Sequence, residues 1–378
     1  MSNRDSEAAR PIVAGRVVGR GPAEIWGMSS EQRLHRLFKR VGIADPGGAS
    51  GELLVRADFV TDEALIRDLA AAPRTALTTE DGTALVAVHA SASDIAAVER
   101  ALAQDRAEAL PQGYRLVRPS ALSSSYNAKL RKRAAPLLER LTAANAAAIE
   151  ARMFTGAYKG ATDLVTKYVW PRPALAVTRW CARAGISPNA VTWVSLGCVI
   201  LAFWLFWRGD FIAGLFFAWM MCFLDTVDGK LARVTLTSSK LGDVFDHGID
   251  LVHPPFWYYA WGVGLSDVTL TPEIAALVAV IIAGYVIGRL QEGFFIWRFG
   301  LEIHIWRPID TWFRLITARR NPNLILLMAF AVVGRPDIGL WAVAIWTVVS
   351  LGFHFMRIAQ AAAATRRGPI ASWLAGPA

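Results

Sequence analysis

The sequence predicts two regions of different fold: a soluble α/β domain, then an all-α integral membrane domain of six transmembrane helices. Three observations predict this. The chain is 54% hydrophobic with 15 Trp and 18 Phe, and its mean hydropathy is +0.34, too apolar for a protein wholly surrounded by water. No apolar run reaches membrane length before about residue 187, whereas six candidate spans follow it. Within the first 150 residues, short β-branched stretches alternate with amphipathic helical ones, the order of an α/β domain.

The soluble region is taken as residues 1–150. GELLVRADFV (51–60) reads as a strand, and TDEALIRDLAAAP (61–73) as a helix with Thr61 at its N-cap and acids in its first turn. RTALTTEDGTALVAVHA (74–90) reads as a hairpin turning near Asp81-Gly82. SASDIAAVERALAQDRAEAL (91–110) is a second helix, GYRLVRPSAL (113–122) a strand, and 127–154 a long amphipathic helix. The N-terminal stretch MSNRDSEAARPIVAG lacks the apolar core of a signal peptide, so the start of the chain is expected in the cytoplasm.

The membrane region is taken as residues 155–378, with spans at 189–207, 210–234, 240–263, 273–297, 322–338 and 338–358. RPALAVTRWCARAG (172–185) and the aromatic, basic stretch 296–320 read as interfacial segments. With the N-terminus inside, the outer loops around Arg208–Asp210, Asp267 and Arg335–Asp337 hold two basic residues. Arg172, Arg179, Arg298, Arg307, Arg314, Arg319, Arg320, Arg357, Arg366 and Arg367 all fall inside. This satisfies the positive-inside rule and places both termini of a multi-pass inner (cytoplasmic) membrane protein in the cytoplasm. The net charge of +9 therefore belongs beside the spans, which argues for membrane lipids and anionic substrates and against nucleic acid. Cys181, Cys198 and Cys222 lie in apolar context without paired spacing, as small buried hydrophobes do.

FLDTVDGKLARVTLTSSKLGDVFDHGID (223–250) places five aspartates between two apolar helices. Asp225 and Asp228 are three apart, and Asp246 and Asp250 four apart, so each pair shares a helix face. The short polar link TLTSSK makes the two helices antiparallel and brings the four carboxylates to one depth. Four anions in low dielectric require compensation. One or two Mg²⁺ or Mn²⁺ ions suit hard oxygen donors, and a carboxylate-held metal pair suits displacement at phosphorus. Gly229 and Gly242 leave room for a ligand, and Arg233 can reach a phosphate oxygen. Acids in a merely solvated link would not need these spacings. A cation-coupled transporter could also use the carboxylates, but it has no need of a phosphate-binding arginine.

The pattern Asp225-x2-Asp228-Gly229-x2-Ala232-Arg233-x8-Gly242-x3-Asp246-x3-Asp250 resembles the signature of the CDP-alcohol phosphotransferase family at every position, and ISPNAVTWVSL (186–196) resembles the approach to its first span. The resemblance covers roughly 155–360. It implies a six-helix membrane enzyme, usually a homodimer, that moves a phosphoalcohol from a CDP-alcohol donor to an acceptor hydroxyl and releases CMP. It assigns metal binding to Asp225, Asp228, Asp246 and Asp250, and the CDP pocket to Gly229, Ala232, Arg233 and Gly242. It also makes Asp250 the base for the acceptor hydroxyl.

For the acceptor, a small polar or phosphorylated alcohol, Arg289, Arg319 and Arg320 are the candidates. Anchoring to lipid headgroups is the other reading of these arginines. GYVIGRLQEG (284–293) departs from members that use phosphorylated acceptors: Gly284 replaces a Ser and Ile287 a basic residue, which counts against inositol phosphate. His247, His253 and His304 read as packing or interfacial residues. The N-terminal domain resembles a nucleotidyltransferase without its phosphate-cradling loop, since IVAGRVVGRG (12–21) has glycines but not that pattern. It is expected to be catalytically silent, so that a chain lacking 1–150 keeps activity. CDP-diacylglycerol is the expected donor in phospholipid synthesis. A CDP-polyol donor acting on a lipid or polyol-phosphate acceptor is the alternative.

Overall fold

The computed structural model describes residues 13–43, 51–124, 126–127, 130–266 and 269–375; the side chains of Val13, Lys240, Leu241, Asp243, Asp246 and His247 fall outside that description. Asp267, expected in an outer loop, also lies outside the described residues.

The N-terminal domain runs β1 (Val13–Val18), α1 (Ser30–Val41), β2 (Gly51–Arg56), β3 (Phe59–Thr61), α2 (Glu63–Ala70), β4 (Thr75–Thr78), β5 (Leu85–Ser91), α3 (Ile95–Ala103) and β6 (Arg115–Val117). Five strands form one mixed sheet in the order β1-β2-β5-β4-β6; β1 is parallel to β2, β4 is parallel to β6, and β5 is antiparallel to both its neighbours. Alternate residues of β2 point to opposite faces. Leu53 and Val55 join Leu34, Leu37 and Phe38 of α1 and Leu65, Ile66 and Leu69 of α2. Leu54 joins Val98, Ala101 and Leu102 of α3 on the other face. The result is a three-layer α/β/α domain.

Two local expectations are corrected. The helix expected over 61–73 spans only Glu63–Ala70, with Asp62 at the N-cap position, because Thr61 belongs to β3. The long helix expected over 127–154 is absent from the described part of that stretch. After the short α4 (Pro119–Leu122) come β7 (Tyr126–Asn127), β8 (Lys132–Arg133) and β9 (Leu138–Arg140), and only α5 (Ala146–Gly156) is helical. Pro136 has no N–H to donate and disfavours helix at the residue before it. β9 instead pairs with β3, extended by Leu141 N donating to Asp58 O at 2.7 Å.

The helical region opens with α6 (Pro171–Arg183) and continues as α7 (Pro188–Trp207), α8 (Phe211–Val234), α9 (Lys240–Gly264), α10 (Pro272–Phe299), the short α11 (Pro308–Arg314), α12 (Arg320–Val332) and α13 (Pro336–Ala364). Ser187, Ser239 and Thr271 cap α7, α9 and α10 through their hydroxyls. Among the described residues, four helices are long and apolar enough to cross a membrane: α7, α8, α10 and α13. The expected fifth span is the 13-residue α12, about 20 Å long at 1.5 Å per residue. That is shorter than a hydrocarbon core of about 30 Å. The outer surface is apolar, with Trp193, Ile200, Val348 and Phe355 exposed.

The two regions share a core. Val227, Leu231 and Val234 form one stripe of α8 and pack against Ile25, Trp26 and Met28 of the N-terminal domain, together with Phe154 and Cys181. Trp26 is completely enclosed, and its backbone N–H donates to the buried Glu150 at 2.9 Å. Arg179 also pairs with Glu150, at 2.8 Å.

Candidate active site

The last turns of α8 carry Asp225 and Asp228, with Asp228 buried beside the stripe of Val227, Leu231 and Val234. Asp228 Oδ2 accepts a hydrogen bond from the Thr192 hydroxyl of α7 at 2.7 Å, while its Oδ1 is buried with no hydrogen-bond partner among the described residues. Asp225 and Asp250, expected to converge from α8 and α9, do so: the guanidinium of Arg320 bridges them through Nη2 and Nη1. The Asp250 side chain remains 39% exposed, so it is open to a ligand. The backbone of Asp246 lies one helical turn earlier on α9; its carboxylate lies outside the described residues.

The glycines are tightly placed. A Cβ at Gly229 would come within 3.1 Å of Arg233 Nη2, and one at Gly242 within 3.0 Å of Asn189 Oδ1. Asn189 and Thr192 both come from the stretch SPNAVTW, so α7 supplies site residues that the sequence reading left without a role. Pro254 and Pro255 lie inside α9. Lacking N–H groups, they leave the carbonyls four residues earlier, those of Asp250 and Leu251, without their helical donors. The Tyr285 hydroxyl of α10 takes over, 2.9 Å from Leu251 O and 3.4 Å from Asp250 O.

The three acceptor candidates separate into two groups. Arg320 sits on the aspartates, whereas Arg319 and Arg289 converge on Glu292 of α10, with Arg289 at 3.3 Å. His304 also reaches Glu292, at 3.2 Å, so it is a hydrogen-bonded member of this cluster and not merely a packing residue. Glu292 was not picked out from the sequence; a lone acid within the apolar run of α10 was the available signal. His253 is a packing residue, buried edge-to-face against Trp257 with Nδ1 2.7 Å from Ile249 O. His247 lies outside the described side chains. A Cβ at Gly284 would come within 2.3 Å of Thr347 Cγ2 on α13, so the departure from Ser follows from close helix packing.

Beside the carboxylates the surroundings are basic. Lys230 is buried, with its ammonium 3.7 Å above the Tyr158 ring. Burial lowers the pKa of Lys132 and of Lys159, and the charge of Arg233 adds to the lowering of both. Burial works to raise the Asp163 pKa, but the charge of Arg314 and hydrogen bonds from Thr166 and Asn321 outweigh it and hold the carboxyl below its usual range. On the other side, a groove of about 440 Å³ between α7 and α9 is lined by Val199, Ile200, Phe203, Ile249, Val252 and Phe256.

Oxygen donors on two facing helices, a buried carboxylate oxygen without a partner and a flanking arginine are what a phosphate-displacing site requires. Comparison with known proteins agrees: residues 185–319 match the CDP-alcohol phosphatidyltransferase family. The chain carries a CDP-alcohol phosphatidyltransferase domain. All the signature positions, Asp225 to Asp250, lie within it, and Arg320 follows it directly. The chain is similar to the phosphatidylinositol phosphate synthase of Cutibacterium acnes, at 26% identity over 208 residues, covering 52% of this chain and 89% of that protein. The corresponding synthase of Streptomyces avermitilis is 27% identical over 180 residues, covering 45% and 70%. The archaetidylinositol phosphate synthase of Pyrococcus horikoshii is 35% identical over 80 residues, covering 21% and 42%. The matched domain is thus that of a phosphotransferase, and among the described residues four helices are long and apolar enough for a membrane protein.

Proposed function

We propose that this enzyme transfers a phosphatidyl group from CDP-diacylglycerol to a hydroxyl of a small polar alcohol or its phosphate, releasing CMP. The observation that carries the reading is the meeting of Asp225 and Asp250 on one guanidinium, beside the partnerless Oδ1 of Asp228. Asp225, Asp228, Asp246 and Asp250 would hold Mg²⁺ or Mn²⁺, two ions by the donor count; such ions supply Lewis-acid neutralisation of the diphosphate. The described donors fit this, because they are carboxylate oxygens and one of them is buried and unsatisfied. Arg320 already supplies positive charge to two of them.

Asp250 takes the proton of the acceptor hydroxyl as that oxygen forms its bond to the lipid-side phosphorus. The bond from this phosphorus to the bridging oxygen breaks, and the electron pair leaves with CMP. Arg233, with Gly229, Ala232 and Gly242, orients the cytidine diphosphate. The apolar groove beside Asp250 suits an acyl chain, which favours a lipid donor over a CDP-polyol. The names of the relatives, and the basic residues Lys132, Lys159, Arg289 and Arg319, favour a phosphorylated acceptor; Gly284 and Ile287 count against inositol phosphate as that acceptor.

We also read the N-terminal domain as a catalytically silent nucleotidyltransferase relative. Two glycines of its 12–21 stretch serve packing: a Cβ at Gly15 would strike the Phe38 ring at 2.5 Å, and one at Gly21 the Ser30 side chain at 2.3 Å. Six spans, cytoplasmic termini and a homodimer complete the proposal. Purified protein incubated with labelled CDP-diacylglycerol and a panel of alcohols and alcohol phosphates tests it. CMP and a new lipid should appear together, and CMP release from a CDP-polyol alone would overturn the donor assignment.

A further inference from the structure

The loop between the two halves of the aspartate signature is held by the N-terminal domain. Arg33, Arg36 and Arg40 are spaced three and four apart on α1, so they share one face. Such a face is ordinarily solvated, yet here Arg33 is buried. Arg33 Nη1 donates to Val234 O at 2.9 Å, Arg36 Nη1 to Thr235 O at 2.9 Å, and Arg40 Nη1 to the Ser238 hydroxyl at 2.8 Å. Val234 is the last residue of α8 and Thr235 its C-cap. Their carbonyls have no acceptor role inside the helix, and they lie at its negative end, where cations are favoured. Leu236 follows with φ +58°, a left-handed conformation unusual for a branched side chain. Its side chain packs against the N-terminal core formed by α1, α2 and the sheet. Ser239 then accepts from Gly242 N at 3.0 Å and starts α9.

We infer that Arg33, Arg36 and Leu236 are positioning residues: they clamp the α8–α9 loop to the N-terminal domain and thereby fix Asp225 and Asp228 relative to Asp246 and Asp250. The inference rests on reading that carboxylate cluster as the reaction centre. It replaces the expectation that the membrane region works without residues 1–150, since a shorter chain loses all three arginines. An ångström of misplacement at such a centre is enough to lower turnover by about 10²-fold. The N-terminal domain then acts on catalysis without having a reaction of its own.

The test uses full-length protein in lipid nanodiscs. The Arg33→Gln/Arg36→Gln variant is compared with wild type and with Arg33→Lys/Arg36→Lys, which keeps the charge. Amide hydrogen exchange is read over 235–242, kcat and KM for CDP-diacylglycerol are measured, and Mn²⁺ is titrated. In the Gln variant the loop amides should exchange faster while the sheet stays protected. Its kcat should fall at least about 10-fold with KM within about twofold, its Mn²⁺ affinity should weaken, and the Lys variant should recover part of each. Unchanged loop exchange overturns the clamp. Faster loop exchange with wild-type kcat shows that the clamp does not position the site, and also overturns it. If wild type releases no CMP from any donor, the reaction reading fails by itself. The clamp is then judged by exchange and Mn²⁺ binding, where wild-type values in the Gln variant overturn it.

Discussion

The two regions of this enzyme differ in where most of their charges sit. In the α/β domain the core around Leu53, Leu54, Leu65 and Val88 is apolar, and pairs such as Arg16–Glu52 lie at the rim. In the helical region the surface is apolar, and Asp228, Glu292 and the Arg357–Asp310 pair are turned inward. Each arrangement follows from what surrounds the region. Water solvates a rim charge at no structural expense, whereas a charge beside hydrocarbon has to find a partner inside the protein. A buried charge is therefore an ordinary feature of the bundle, and the informative one is a buried polar atom left without a partner. Asp228 Oδ1 is such an atom, and it lies where the chemistry is proposed.

The largest expected effect separates those two kinds of buried charge. Asp228→Asn should abolish CMP release and Mn²⁺ binding while the protein still folds, because Thr192 can continue to donate to the side-chain oxygen; retained turnover in this variant breaks the comparison. Next is stability. Arg357 Nε lies 2.6 Å from Asp310 Oδ1 in full burial, so Asp310→Ala should cost about 3–5 kcal/mol by stranding the arginine. Glu52→Ala in the partly exposed Arg16 pair should cost at most about 1 kcal/mol. Denaturation of both variants measures the contrast, and equal losses would erase it.

Asp250→Asn should lower kcat by about 10²-fold, the size of a lost general base, with CDP-alcohol binding preserved in the presence of metal. Full rescue of its turnover by excess metal would leave Asp250 a metal ligand only and remove its role as base. The smallest effect belongs to the soluble core. Burial lowers the His89 pKa from its ordinary 6.5, opposed by hydrogen bonds to the Leu69 and Ala72 carbonyls. The folded domain therefore takes up a proton at His89 less readily than the unfolded chain, which binds one as pH falls past 6.5. This contribution is complete above pH 6.5 and shrinks below it. The thermal midpoint of wild type should drop more between pH 7 and pH 5 than that of His89→Gln, and parallel pH dependences would exclude the contribution.

Much of the site could be read from the sequence because helical spacing fixes which face a residue occupies. Placing Asp225 and Asp250 toward one another needed only the period of a helix and an apolar setting; the side chain of Asp246 lies outside the described residues. What the spacing could not supply was any partner far along the chain. Arg320 reaches Asp225 from 95 positions away, and nothing local distinguishes it from Arg319, which goes to Glu292. In the soluble domain, the alternation of strands and helices showed the layers. The alanine-rich stretch after Asn127 imitated a helix, and the pairing of β9 with β3 outweighed that propensity. The arginines of α1 carry no mark in the sequence of what they meet.

The shared core of Trp26 with Val227, Leu231 and Val234 also bears on how the protein is made. Domains fold as units, N-terminal first, while the ribosome is still at work. The Trp26 loop and α1 thus leave the ribosome about 200 residues before the end of α8 does, and the last strand of the main sheet about 115 residues before it. When α8 emerges with its aspartates, the residues that pack against Val227, Leu231 and Val234 from the N-terminal domain have already been made. The soluble domain would in this way serve as a template for biogenesis, registering the helix pair as it arrives.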